Sequence, residues 1–395
     1  MYRFLFTSSI FILFVFQLTV NCATNQGIEP GAKSFSEYLP LITNRNVGLV
    51  VNQSAIVDNV HLVDTLLSLN VHVKRIFSPE HGFRGIGDRG ELIANSTDTK
   101  SGLPIISIYG NNKKPTKEQL DDIDVVVFDL QDVGVRFFTY ISTLHYIIEA
   151  CAENNKKLII LDRPNPNGFY VDGPVLELKN KSFVGMYPIP VVHGMTISEL
   201  ALMAVGEGWV SEDRKPDITI IKCENYNHDK KYILPVKPSP NLPDMRSVYL
   251  YPSLCLLEGT VVSLGRGTPY PFQMYGHPDF KEYDTVFIPE SKVGASKNPV
   301  LKNQKCFGFS LRRLPVEKTW TFNLEYILSA YHELNSRDNF FTPYFTMLTG
   351  TNKLEEAIKS GMSANEIKQS WQKDLDEFKK IRKKYLLYPD FTQMQ

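Results

Sequence analysis

Glu80 and His81 stand side by side in Ser78-Pro79-Glu80-His81-Gly82-Phe83-Arg84-Gly85, where a carboxylate and an imidazole are followed by a guanidinium between two glycines. A carboxyl or imidazole can give or take a proton in a reacting complex, and arginine is a fixed cation that holds anions. Gly82 and Gly85 permit positive φ or close backbone approach around Arg84. Taken alone, a Glu-His pair reads more readily as a solvated loop acid beside a turn residue. The neighbours change that reading.

Further acids and cations follow at intervals. Asp129 and Asp132 bracket Leu130-Gln131, with Arg136 and Tyr140 downstream; then come Asp162-Arg163-Pro164-Asn165, His193, Asn241, Glu258 and Arg266. Two carboxyl groups in one cleft, one protonated to donate and one ionised to stabilise or attack, are the apparatus of glycosidic bond cleavage. Asp129 lies in an apolar run, so desolvation could raise its pKa, or it could accept hydrogen bonds from neighbouring turns. Glu199 is set aside: Thr196 and Glu199 form a capping box at the start of a helix.

Other chemistries lack their residues. The turn Asn52-Gln53-Ser54-Ala55 has no glycines to admit a pyrophosphate, so no dinucleotide cofactor is expected. No phosphate-binding lysine loop, G-x-S-x-G elbow or H-E-x-x-H helix is present. Glu80, His81, Asp129 and Asp132 could in principle hold a metal, but only His81 and His193 would supply imidazoles, so none is expected.

The elements that must position these groups read as a parallel sheet. Apolar runs at Asn46 to Val51, Val71 to Phe77, Leu103 to Ile108, Asp124 to Leu130 and Lys157 to Leu161 are strands, with helices at His61 to Leu69, Thr116 to Gln119 and Thr139 to Asn154 between them. The downstream strand ends carry Asn52, Glu80-His81, Tyr109, Gln131-Asp132 and Asp162-Arg163. In a parallel sheet those ends share one edge, where α/β proteins place ligands. From Val171 to Pro243 the pattern loosens, apart from a strand near Val191 that leads into the helix after Thr196. The proline-rich segment Lys237 to Pro243 suits a domain junction, and the tail reads as one helix from Ser363 through Lys384 with Ile367, Trp371, Leu375 and Phe378 on its apolar face. The expected organisation is an α/β, Rossmann-like domain over 34–243 and a smaller α+β domain over 244–395.

The chain has 395 residues, 43% apolar, with 43 basic and 43 acidic side chains, a balance that leaves no footprint for nucleic acid. Residues 1–22 read as a signal peptide: a short basic start, an apolar core and small residues near Cys22. Leu18-Thr19-Val20-Asn21-Cys22 also resembles a bacterial lipoprotein signal with Cys22 as the acylated residue. Export to the periplasm or medium is expected, with no membrane span in the mature body. Cys151, Cys223, Cys255 and Cys306 form no C-x-x-C pair and are expected to be core thiols.

Ser78 to Gly85, Asp129 to Tyr140, Asp162 to Pro166, Pro238 to Pro243, and Glu258-Gly259-Thr260 with Gly265-Arg266-Gly267-Thr268 together resemble the exo-β-N-acetylmuramidase family (NamZ) from about residue 35 onward. The resemblance implies a Rossmann-like catalytic domain, a smaller C-terminal domain, a cleft between them, and release of terminal N-acetylmuramic acid from the non-reducing end of peptidoglycan fragments, muropeptides or disaccharides. It puts the catalytic glutamate at Glu80, expected as general acid with His81 orienting it or the sugar. Asp129 or Asp132 is expected as the second carboxylate, with Glu258 the alternative. Arg84, Arg136 and Arg266 are the candidate cations for the lactyl carboxylate of muramic acid. Tyr140, Asp162, Asn165, His193, Asn241 and Glu258 complete the expected binding set. The rival readings are a non-catalytic cell-wall carbohydrate-binding protein, and an esterase or amidase whose nucleophile or metal is not evident.

Overall fold

Alternate residues of each apolar run point to opposite faces of a strand, and here both faces are covered. In Val125–Asp129 (β7) the side chains of Val125 and Val127 join one core cluster while Val126 and Phe128 join another. The same division splits Leu158 and Ile160 from Ile159 and Leu161 in Lys157–Leu161 (β8). This is why unbroken apolar runs mark a sheet buried on both sides.

The computed structural model describes residues 27–83, 95–210, 214–335 and 338–392. The expected leader, with Cys22, and the candidate Arg84 lie outside the described residues.

The strands, in chain order, are Asn46–Val51 (β1), Ile56–Val57 and Val60–His61 (the hairpin β2-β3), His72–Ser78 (β4), Ser96–Thr97 (β5), Pro104–Ser107 (β6), β7, β8 and Ile218–Ile221 (β9). The large sheet runs β5-β6-β4-β1-β7-β8-β9, and every pair in it is parallel except β5 on β6. Leaving out the two-residue β5, this is the doubly wound 3-2-1-4-5-6 order, whose reversal point lies between β1 and β7. Helices Phe35–Ile42 and Leu62–Ser68 cover one face; Tyr140–Glu153 and Ile197–Gly206 cover the other.

The second domain carries a three-stranded antiparallel sheet of Met274–His277 (β10), Thr285–Phe287 (β11) and Cys306–Ser310 (β12), in the order β10-β12-β11, surrounded by short helices. Its apolar residues Leu257, Phe345 and Ile367 belong to the same cluster as Leu144, Ile160 and Val192 of the first domain. One core therefore runs through both domains.

Three local expectations are corrected. The strand expected near Val191 is reduced to isolated bridges, Val192 pairing with both Val135 and Asp172. The tail is two helices, Ala364–Ser370 and Gln372–Arg382, broken at Trp371, whose indole Nε1 donates to Asp172 Oδ1 at 3.2 Å. Strand β9 falls where no element was expected. Cys151, Cys223, Cys255 and Cys306 are buried free thiols. Among the described residues no helix is long and apolar enough to cross a membrane.

Candidate active site

β4 ends at Ser78, whose carbonyl accepts Ile108 N–H at 2.9 Å and so ties the strand end to the third strand. Pro79 stops the ladder, and the chain then turns through two successive positive φ angles, His81 at 70° and Gly82 at 78°. A non-glycine residue in the left-handed region is a strained position that surrounding contacts must hold. Here the turn closes with Gly82 N–H on Pro79 O at 3.0 Å, and His81 Nε2 lies 3.4 Å from Ser239 Oγ in the interdomain segment.

The turn aims Glu80 into a cleft of about 600 Å³ between the two domains. Glu80 is 7% exposed, and its carboxylate is held on both oxygens: Tyr109 Oη donates to Oε1 at 3.0 Å and Thr139 Oγ1 to Oε2 at 2.7 Å. Tyr109 comes from the end of β6, and Thr139 precedes the helix after β7, so three strand ends fix one carboxylate. Tyr140 lies beside them, with its phenol accepting from Asn52 Nδ2 at 2.6 Å at the end of β1. Burial, with Glu80 and Asp132 both adding negative field, pushes the Tyr140 pKa upward, so it stays a neutral hydroxyl.

The opposite wall comes from the second domain. Gly265 and Gly267 both take φ of 80°, and the turn between them lays Arg266 against Glu258, where Nε donates to Oε1 at 2.7 Å and Nη2 donates to the same oxygen. Asn241, at the junction, lines the cleft and donates its amide to Ala295 O at 2.6 Å. Phe183, Tyr251 and Tyr344 add aromatic surface.

Glu80, His81, Tyr140, Asn241, Glu258 and Arg266 thus meet at one cleft. Six other candidates point elsewhere, each with its own partner. Asp129 is fully buried in an ion pair with Arg163, whose Nη2 donates to Oδ2 at 2.9 Å and Nε to Oδ1. Arg136 is a structural clamp: Nη1 donates to Pro174 O and Ile189 O and Nη2 to Leu348 O, all at 2.7–2.8 Å. Asp162 accepts from Tyr388 Oη at 2.6 Å and Ser198 N at 3.1 Å, and burial pushes its pKa up to about 6. Asn165 bonds Met195 O and Asn167 N, both at 2.8 Å.

Asp132 and His193 form a pair behind the cleft wall. Asp132 Oδ2 accepts Gly134 N–H at 2.6 Å and lies 3.8 Å from His193 Nε2. Burial pushes the Asp132 carboxyl up to about 7 and the His193 imidazole down to about 3, so at neutral pH the histidine is uncharged and no tight ion pair forms. Among the described residues of the sheet's carboxyl edge, the cleft is lined from the ends of β4 and β6 and from the start of the helix after β7.

Sequence reasoning placed Tyr109 among the strand-end polar groups of this edge without giving it a role, and passed over Thr139, which precedes the helix after β7. It also passed over Phe183 and the loop Ser296-Lys297-Asn298-Pro299-Val300, which line the cleft from distant loops with no local signal. Glu199 is the cap its spacing implied: it accepts Thr196 N–H at 2.8 Å, and its other oxygen meets His228 Nε2 at 3.1 Å. Among the described residues no group of three or more His, Cys, Asp or Glu is arranged to hold a metal ion.

Fold and site together define a doubly wound α/β protein with a second domain closing a carboxylate-bearing, aromatic-lined cleft over the carboxyl edge of its sheet. The family described as exo-beta-N-acetylmuramidase NamZ matches it with its N-terminal part over residues 47–246 and its C-terminal part over 249–388, and the chain belongs to that family. The peptidoglycan beta-N-acetylmuramidase NamZ of Bacillus subtilis is 36% identical over 372 residues, covering 89% of each chain. Two crystal structures of DUF1343 family proteins from Bacteroides fragilis are similar throughout. One is 48% identical with a TM-score of 0.86, the other 28% identical with a TM-score of 0.76, and each match covers 92% of this chain and 99% of the other.

Proposed function

We propose that this protein is an exo-acting glycoside hydrolase that removes terminal β-linked N-acetylmuramic acid from the non-reducing end of peptidoglycan fragments. Family membership supports peptidoglycan β-N-acetylmuramidase activity, and the cleft supports the finer reading. The observation that carries it is Glu80 fixed by Tyr109 and Thr139 at the cleft floor, facing the wall that bears Glu258.

Glycosidic cleavage needs a proton for the leaving oxygen and negative charge to stabilise or attack the anomeric centre. Glu80 is the proton donor in this reading, with its two hydroxyl partners fixing the direction of transfer. Of the three acids considered for the second role, Asp129, fully buried on Arg163, and Asp132 do not line the cleft, which leaves Glu258, which lines it and is ion-paired with Arg266. His81 positions rather than reacts: its left-handed turn aims Glu80, and its ring reaches the junction at Ser239.

The test uses a chromogenic β-N-acetylmuramide, its N-acetylglucosaminide counterpart, and a defined glycan chain with a muramic acid terminus. Wild type should hydrolyse the muramide and release free monosaccharide from the chain end, and Glu80→Gln should lose roughly 10²-fold or more in kcat. Disaccharide products would show an endo enzyme, and unchanged turnover in Glu80→Gln would remove Glu80 from the acid role. The leader over 1–22 favours an exported enzyme, which cell fractionation and labelling of Cys22 with a radioactive fatty acid would test.

A further inference from the structure

N-acetylmuramic acid differs from N-acetylglucosamine by a lactyl ether ending in a carboxylate, so a site that selects it needs a cation whose charge is still available. The two arginines expected for this task and described in the structure are committed. Arg136 gives its N–H groups to three backbone carbonyls, and Arg266 lies on Glu258. Among the described residues, the cleft contains one further cation of fixed charge, Lys297, which is exposed and makes no ion pair or hydrogen bond through its ammonium.

The loop that carries it is built as a wall. Glu290 N–H donates to Gly267 O at 3.2 Å, Lys292 and Ser296 exchange backbone hydrogen bonds at 2.9 and 2.8 Å, and Asn241 Nδ2 holds Ala295 O at 2.6 Å. Ser291 Oγ donates to the Lys297 carbonyl itself at 2.8 Å. A Cβ on Gly267 would lie 2.3 Å from Glu290 O, so the glycine beside Arg266 is what lets this loop pack against the turn. The main chain of Lys297 is thereby fixed from the junction and from the Arg266 turn, while its ammonium remains free to meet a ligand.

We propose that Lys297 is the specificity residue of the cleft, reading the carboxylate on the 3-O-substituent of the terminal 2-acetamido sugar; this rests on the function proposed above. A flexible lactyl arm suits a mobile point charge, which needs no two-pronged geometry. Asn241 then acts as a positioning residue for the loop.

The experiment compares two chromogenic β-N-acetylmuramides, one with the free lactyl acid and one with the lactyl carboxamide, on wild type, Lys297→Met and Lys297→Arg. Wild type should favour the acid by about tenfold to a hundredfold in kcat/KM, through KM, as for a hydrogen bond to a charged group. Lys297→Met should lose that preference by falling on the acid while changing less than about threefold on the carboxamide, Lys297→Arg should keep most of it, and 0.5 M salt should shrink it in wild type. Equal losses on both substrates, or none, would overturn the role of Lys297 while leaving the muramidase reading intact. A wild type inactive on both would overturn that reading, and the inference with it.

Discussion

A carboxylate that accepts a hydroxyl donor on each oxygen is held in one orientation, and Glu80 is held this way by Tyr109 and Thr139. Removing either hydroxyl should leave the cleft intact but let the acid swing. Tyr109→Phe and Thr139→Val are therefore expected to lower kcat by about tenfold to a hundredfold with little change in KM. A purely KM effect would mean the hydroxyls touch sugar instead. Asp132 gives a second prediction, in stability. Its ordinary pKa near 3.8 is raised to about 7 by burial, so between those values the folded chain holds a proton that the unfolded chain has released. Rising pH through that window must cost stability, about 1.4 kcal/mol per unit. His193 acts the other way from about 3 to 6.5, because its buried ring stays neutral where the unfolded ring is charged. The comparison of wild type with Asp132→Asn isolates the acid: urea midpoints should shift in favour of the variant from pH 4 to pH 7, and a pH-independent difference would count against a buried, protonated Asp132. Residue types were legible in the sequence; their orientation was not. Nothing local distinguishes Asp129, turned to Arg163, from Glu80, turned to the cleft, because the partner that decides it lies 34 positions away.

At the scale of elements, the strands of the sheet were legible because short unbroken apolar runs bounded by turn residues mark strands buried on both faces. β9 was missed because Ile218–Ile221 is a run of only four residues, half-buried at the edge of the sheet. The break at Trp371 escaped because helical spacing continues across it, and the indole bond to Asp172 is a contact over 199 positions. The loop from Gln131 to Phe138 links sheet to site, since it delivers Thr139 to Glu80. Gly134 in that loop takes φ of 80°, and a Cβ there would sit 2.2 Å from Asn165 Oδ1. Asn165 cannot give way, being fixed to Met195 O and Asn167 N. Gly208 offers the matched control, with φ of 69° and open space around a Cβ. Gly208→Ala should cost only the backbone term, about 1–2 kcal/mol. Gly134→Ala should cost clearly more in thermal denaturation and also reduce kcat as Thr139 shifts. Equal costs at the two glycines would show that the loop relaxes around the added methyl.

For the molecule as a whole, the two domains behave as one packed body, and the contacts responsible are the least visible in sequence. The chain end returns to the first domain: Arg382 Nε and Nη2 both donate to Gly194 O, Leu387 N–H donates to Glu199 Oε1 at 2.8 Å, and Tyr388 reaches Asp162. The junction at Lys237 to Pro243 was legible from its prolines, but no local pattern announces a tail that packs across a distance of 188 positions. Arg136 completes the union. Burial lowers its pKa to about 9, still cationic at neutral pH, and among the described residues it meets no carboxylate; its charge is spread over the carbonyls of Pro174 and Ile189 in the first domain and Leu348 in the second. Arg136→Met would remove the charge but leave Pro174 O and Leu348 O without their donor in a closed core and Ile189 O with the Leu176 N–H at 3.2 Å, at about 1–3 kcal/mol for each unpaired group, partly offset by the desolvation the guanidinium no longer suffers. The expected net loss is about 2–4 kcal/mol. Because the core is shared, the loss should appear as one lowered, still cooperative transition in calorimetry, with calorimetric and van't Hoff enthalpies in agreement. Leu348 also lines the cleft, so weakening the clamp should raise KM for the muramide more than it lowers kcat. Arg136→Lys, which keeps the charge but not the spread of donors, should fall between wild type and Arg136→Met in both measurements. Two resolved transitions in Arg136→Met, with only one of them shifted, would show instead that the domains fold separately and that the guanidinium serves just one of them.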